Sequence, residues 1–166
     1  MATSHDAGRQ GGQLVEADGV TFYYQTHGQG QPLLLLHGGS LTGDMWRPYL
    51  AKFAERYRAV VPDMPSHGRS SSRAGALSYR QLADDIVAFA RALDLDNPLI
   101  VGYSDGGQVA LEIGMRYPML PQSIVIGGVV SKYSDALRGF IRGAVGDERS
   151  AEADTELLDV PRSIPT

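Results

Sequence analysis

Four short, uninterrupted apolar runs recur along this chain: Leu33 to Leu36, Ala59 to Val61, Leu99 to Val101 and Ile124 to Ile126. A strand that is apolar on both faces needs cover on both faces, which is the pattern of a parallel sheet. The intervening segments supply that cover. Leu82, Ile86, Phe89 and Leu93 fall on one face of a helix of 3.6 residues per turn, and Ser78 and Gln81 ahead of them have the spacing of a capping box. A second helix is expected over Trp46, Leu50, Phe53 and Ala54, with Pro48 tolerated in its first turn. A third runs from Gly106 through Val109 and Ile113 to a stop before Pro118. Ahead of the first run, Leu14 to Glu16 and Val20 to Gln25 flank Asp18-Gly19 with alternating polarity, which predicts an antiparallel hairpin at a sheet edge. The order hairpin, strand, helix, strand, helix, strand, helix, strand predicts an α/β protein: a mostly parallel sheet with helices on both faces and right-handed crossovers.

A chain of 166 residues suits one domain with a core of its own. Met1 to Gln13 is polar and Gly-rich, lacks the apolar centre of a signal peptide, and reads as a disordered tail. Residues 14–133 carry the strand and helix pattern, and 134–166 read as the start of a cover region or an irregular tail. The net charge of −4 gives no electrostatic reason for nucleic acid or an anionic membrane as partner, since both call for clustered Lys and Arg. No apolar run approaches the ~20 residues that cross a bilayer. The expectation is therefore a cytoplasmic protein that acts on a small molecule. Having no Cys, the chain has no thiolate nucleophile, no Cys-ligated zinc and no disulfide.

Gly102-Tyr103-Ser104-Asp105-Gly106 joins the third apolar run to the third helix. A Gly-x-Ser-x-Gly match is weak in a chain with 20 glycines, but an apolar strand leads in and an amphipathic helix leads out. That is the layout of a nucleophile elbow, where a sharp turn exposes Ser104 above the sheet and Gly102 and Gly106 clear the neighbouring backbone. The helix N-terminus beside Ser104 favours an oxyanion. The first apolar run ends in His37-Gly38-Gly39-Ser40, where glycines permit close approach of a backbone N–H. The N–H groups of Gly39 and Asp105 are thus the expected oxyanion hole, and His37 is expected to orient this loop rather than to act as a base.

These segments, with Pro62-Asp63-Met64-Pro65-Ser66-His67-Gly68-Arg69-Ser70 between them, are where the chain resembles the α/β-hydrolase fold superfamily, in its group of single-domain esterases, dehalogenases and cofactor-free haloperoxidases. The resemblance covers about Leu14 to Val130, the N-terminal half of that fold. It implies hydrolysis of an ester or related acyl bond through an acyl-enzyme on Ser104, or perhydrolysis at the same site, with no cofactor and no metal. It makes the middle segment a structural loop, with His67 a hydrogen-bonded scaffold residue.

The family orders its triad as Ser, then Asp or Glu, then His. Here His5, His27, His37 and His67 all precede Ser104, so the histidine base is absent from the family position. Asp135, shortly after the fourth apolar run, is a weak acid candidate beside the plainer reading of a cap or surface charge. The later strands are missing too, so the chain reads as truncated within the cover region, or else as completed by a second polypeptide. An open sheet edge would leave the isolated chain poorly stable. Asp105 has two readings, a carboxylate favoured at a helix N-terminus and a contact for a substrate cation. A non-catalytic binding or scaffold protein on the same fold is the competing function.

Overall fold

The computed structural model describes residues 11–73 and 77–129 of the chain. Six strands form one sheet: β1 (Gln13–Ala17), β2 (Val20–His27), β3 (Gln31–Leu36), β4 (Tyr57–Pro62), β5 (Leu99–Tyr103) and β6 (Ser123–Gly127). Helix α1 (Arg47–Ala54) follows a short 3-10 turn at Gly43–Trp46, α2 spans Tyr79–Ala92, and α3 spans Asp105–Arg116. The strand order is β1-β2-β4-β3-β5-β6. Strands β4, β3, β5 and β6 run parallel, while β1 and β2 pair antiparallel to each other and β2 antiparallel to β4. The expected α/β architecture is the one observed, and the hairpin stands at an edge.

The turn at Asp18-Gly19 works because both residues adopt positive φ, 46° and 77°, as in the primed two-residue turns whose twist matches the right-handed twist of the paired strands. Strand β1 begins at Gln13, inside the stretch read as a tail, and Gln13 Oε1 accepts from the Tyr24 hydroxyl at 3.1 Å. Residues 1–10 of that stretch, and the whole of 134–166, lie outside the described residues.

The doubly apolar runs bury alternate residues on opposite faces. Leu33 and Leu35 join Trp46, Leu50, Ala59 and Val61 under α1. Leu34 and Leu36 join Val60, Ile100, Ile86, Phe89, Val109 and Ile113 under α2 and α3. Helices therefore cover both faces. Phe89 meets Phe22 at 4.8 Å and Tyr24 at 5.5 Å between ring centroids, which ties the hairpin to α2. Strand β6 stands at the open edge expected of the sheet's last strand. Among the described residues it pairs with β5 alone, and Val125 is 61% exposed.

Half of the expected capping box forms at α2. Ser78 Oγ accepts from the Gln81 N–H at 3.1 Å, but the Gln81 amide donates to Asp85 Oδ1 at 3.0 Å instead of returning to the cap. Asp85 explains the difference: it is buried, its other partner is Arg73 at 2.6 Å, and a buried carboxylate demands donors more strongly than a half-buried cap does. Ser78→Ala is expected to cost about 1 kcal/mol, read from the shift of the urea unfolding midpoint at constant slope.

Candidate active site

The chain runs from β3 through α1 to β4 on one side, then crosses through α2 to β5 on the other side of β3. The carboxyl ends of β3 and β5 thus diverge at a topological switch point, where open α/β sheets hold their ligands. The residues leaving those two ends are His37-Gly38-Gly39 and Ser104-Asp105.

Ser104 has φ 53° and ψ −117°, a conformation that costs an L residue of order 1–3 kcal/mol. Its surroundings impose it. The Ser104 N–H donates to the Gly127 carbonyl at 2.8 Å and its carbonyl accepts from the Gln108 N–H at 3.0 Å, so both sides of the turn are tethered. A methyl group on Gly102 would overlap the Gly106 carbonyl, and one on Gly106 would overlap the Leu36 and His37 carbonyls. The two elbow glycines let β5, α3 and the end of β3 approach at van der Waals distance.

The Gly38 Cα stands close to Ser104, since a Cβ placed on it would lie 3.3 Å from the Ser104 Cβ. A Cβ on Gly39 would run into the Asp105 carboxylate. Among the described residues, the N–H groups of Gly39 and Asp105 have no acceptor, and Asp105 opens α3, where the first amides have no partner in the helix. The structure thus brings Ser104, Gly39, Asp105, Gly102 and Gly106 together. Asp135 lies outside the described residues.

His37 is fully buried. Its Nε2 accepts from the Met64 N–H at 2.8 Å, so the proton sits on Nδ1, which donates to the Gly38 carbonyl at 2.8 Å. The Gly38 carbonyl also accepts from the Leu41 N–H at 3.3 Å. In a trans peptide the C=O and the following N–H point in opposite directions, so holding the Gly38 carbonyl on His37 turns the Gly39 N–H away from it. Both ring nitrogens are engaged in orienting the loop.

The loop after β4 is held by Asp63, which is also fully buried. One carboxylate oxygen accepts from the Gly43 N–H at 2.9 Å and the other from the Arg69 N–H at 2.9 Å, while the Arg69 guanidinium grips both, at 2.7 and 3.0 Å. Arg69 stacks on the Tyr23 ring at 3.8 Å, and Ser70 Oγ donates to the Asp63 carbonyl at 2.6 Å. His67 donates from Nδ1 to the Pro65 carbonyl at 2.9 Å and stands edge-on to His37, 5.2 Å between centroids. His27 ends β2 opposite Ala59 near the start of β4, at the far end of the sheet from Ser104. His5 lies outside the described residues.

Two site features have little or no signal in the sequence. Asp63 is the hub of its loop, and only its place between a buried strand and Pro65 hints at that. Tyr79, at the start of α2, donates its hydroxyl to Asp105 Oδ1 at 2.8 Å across 26 positions of sequence. Among the described residues, no cluster of three or more His, Asp or Glu is placed to hold a metal ion, and no helix is long and apolar enough to cross a membrane.

A sequence profile of the alpha/beta hydrolase family matches residues 33–163, most of the chain. The chain belongs to the alpha/beta hydrolase family. It is 27% identical over 118 residues to the (E)-2-((N-methylformamido)methylene)succinate hydrolase of Acinetobacter baylyi, covering 71% of this chain and 45% of that protein. It is 32% identical over 114 residues to the pimeloyl-[acyl-carrier protein] methyl ester esterase of Nitrosospira multiformis, covering 64% of this chain and 41% of the esterase. Among solved structures, an N-acyl homoserine lactone degrading enzyme, Est816, superposes with a TM-score of 0.68 at 31% identity, over 88% of this chain and 62% of its own. The epoxide hydrolase CorEH superposes with a TM-score of 0.76 at 23% identity, over 86% of this chain and 54% of its own, a likeness of fold. This hydrolase-family chain spans about half or less of the length of these curated relatives.

Burial holds the His37 pKa below its ordinary 6.5, against the Gly38 carbonyl bond, with His67 pushing the same way and Asp63 and Asp105 opposing. A depressed histidine folds in its neutral form, so its contribution is complete above pH 6.5 and is lost as pH falls from there toward the folded value. Asp63 acts lower. Burial pushes its carboxyl up, but the side chain and N–H of Arg69 and the Gly43 N–H together hold it below 3.8, so its contribution survives until the pH drops through that range. The melting temperature is expected to fall as the pH drops below 6.5. His37→Gln is expected to be less stable at pH 7.5 by about 1–3 kcal/mol and to show a flatter dependence across that window, read by calorimetry.

Proposed function

We propose that this chain carries the nucleophile half of a serine hydrolase that cleaves an ester or related acyl bond through an acyl-enzyme on Ser104. The observation that carries the reading is the strained Ser104, φ 53° and ψ −117°, at the start of α3 beside two N–H groups with no acceptor among the described residues. A strained residue persists where the surrounding structure over-determines it, and such residues gather at active sites. Two relatives support the bond class: a methyl ester esterase at 32% identity and an enzyme degrading a lactone, which is a cyclic ester, at 31%.

In the proposed reaction Ser104 Oγ attacks the acyl carbon while its proton passes to a histidine. The carbonyl oxygen becomes an oxyanion that accepts from the Gly39 and Asp105 N–H groups, each donor contributing about 3 kcal/mol to the transition state. Collapse expels the alcohol, which takes the proton from the histidine, and water then repeats the sequence on the acyl-enzyme to release the acid. The histidine is assigned to sequence outside these 166 residues. None follows Ser104 here, and both nitrogens of His37 are engaged in its loop. Asp135 is kept as the candidate acid within the chain.

A fluorophosphonate probe tests the reading without knowledge of the substrate, because it labels only an activated serine. The complete gene product is expected to take label at Ser104, identified by mass spectrometry of the modified peptide, and Ser104→Ala is expected to lose it. An unlabelled wild-type product would favour the competing role, a binding or scaffold protein on a hydrolase fold.

A further inference from the structure

Asp105 is turned toward β3 and α2 rather than back along its own helix. Its Oδ1 accepts from the Tyr79 hydroxyl at 2.8 Å, and its Oδ2 fills the space in which any L residue at position 39 would carry its Cβ. One side chain thus touches three elements: the first turn of α2, the N-terminus of α3, and the loop after β3. Its own N–H and the N–H of Gly39 are the two proposed oxyanion donors.

We propose that Asp105 is a positioning residue, a strut tethered by Tyr79 that sets the distance between the Gly39 loop and the N-terminus of α3. The inference rests on the Ser104 reading for its catalytic consequence and on the Tyr79–Asp105–Gly39 geometry for its physical content. Two donors stabilise one oxyanion only when both point at a single oxygen within about 2.7–3.1 Å, so a small change in their separation weakens both bonds. His37 fixes the rotation of the Gly38–Gly39 peptide. Rotation leaves the translation of the loop against α3 undetermined, and the Asp105 carboxylate is what stands in that gap. The hydroxyl of Tyr79 restricts the carboxylate to one rotamer, since without it the side chain of a first-turn residue is free to turn to solvent.

The strut gives Gly39 a requirement that backbone conformation does not. Gly39 is not among the residues with positive φ. It must lack a side chain because the strut occupies that volume, so the residue types at 39 and 105 are coupled.

Four variants of the complete gene product test the strut. Tyr79→Phe and Asp105→Ala are expected to slow fluorophosphonate labelling of Ser104 about tenfold. Asp105→Asn, whose amide oxygen still accepts from Tyr79, is expected to stay within about threefold of wild type. Gly39→Ala is expected to lower the melting temperature, and Gly39→Ala combined with Asp105→Ala is expected to recover it to that of Asp105→Ala alone. The melting-temperature cycle over Gly39→Ala, Asp105→Ala and the double variant reads the same contact without any reaction, and a double variant no more stable than Gly39→Ala alone would overturn the strut. Wild-type labelling that persists at full rate in Tyr79→Phe and Asp105→Ala would overturn the strut. So would an Asp105→Asn variant as slow as Asp105→Ala, because the charge and not the shape would then matter. A wild-type product that takes no label overturns the Ser104 reading, and the melting-temperature cycle still decides the strut.

Discussion

Everything at the carboxyl end of this sheet depends on one close approach, that of α3 to the ends of β3 and β5. Gly106 lies where any side chain would overlap the carbonyls of Leu36 and His37, and Gly102 lies where any side chain would overlap Gly106 itself. Two missing methyl groups thus fix how near the helix N-terminus comes to the strand that carries the Gly38-Gly39 loop. The approach has a cost at Ser104, whose backbone is forced into a region that glycine would occupy more easily. That cost falls on the residue whose exposure the geometry exists to produce.

The loops around this contact are held by two buried polar groups with complementary tasks. Neutral His37 is the pin between the β3 and β4 loops, donating to its neighbour's carbonyl and accepting from the Met64 N–H. Asp63 is the hub of the β4 loop and reaches across to Gly43, the first residue of the turn that leads into α1. Each meets the rule that a buried polar group must find partners, and each does so by joining segments distant in sequence. Their opposite ionic preferences, one neutral and one charged, confine full stability to a pH above the histidine range.

What the sequence disclosed follows a physical boundary. Strands and helices were legible because burial imposes a period on the residues that form them: Leu33 to Leu36 reads as doubly covered, and Leu82 to Leu93 as one helical face. The elbow was legible because its requirement for glycine is steric and local. Contacts between side chains distant in sequence left no such trace. Nothing in the neighbourhood of Tyr79 announces Asp105, and nothing near Gln81 announces that a buried Asp85 would draw its amide away from the cap. Strand β6 was legible in the same way as the other strands, as an apolar strand at the open edge of the sheet, and among the described residues Val125 on it is 61% exposed.

The residues that force Ser104 into its conformation are Gly102, Gly106, Gly127 and Gln108, together with the carbonyls at the end of β3, and all of them belong to the described part of the chain. None supplies a base or the triad's acid, and His37 enters only through its backbone carbonyl. The geometry of the proposed nucleophile and its oxyanion donors is thus set independently of any base. A preorganised donor pair does not need to rearrange when charge develops, which is the condition under which such groups contribute most. The histidine that completes the proposed site therefore has only to reach Ser104 Oγ. It meets a target whose shape the packing of β3, β5 and α3 has already fixed.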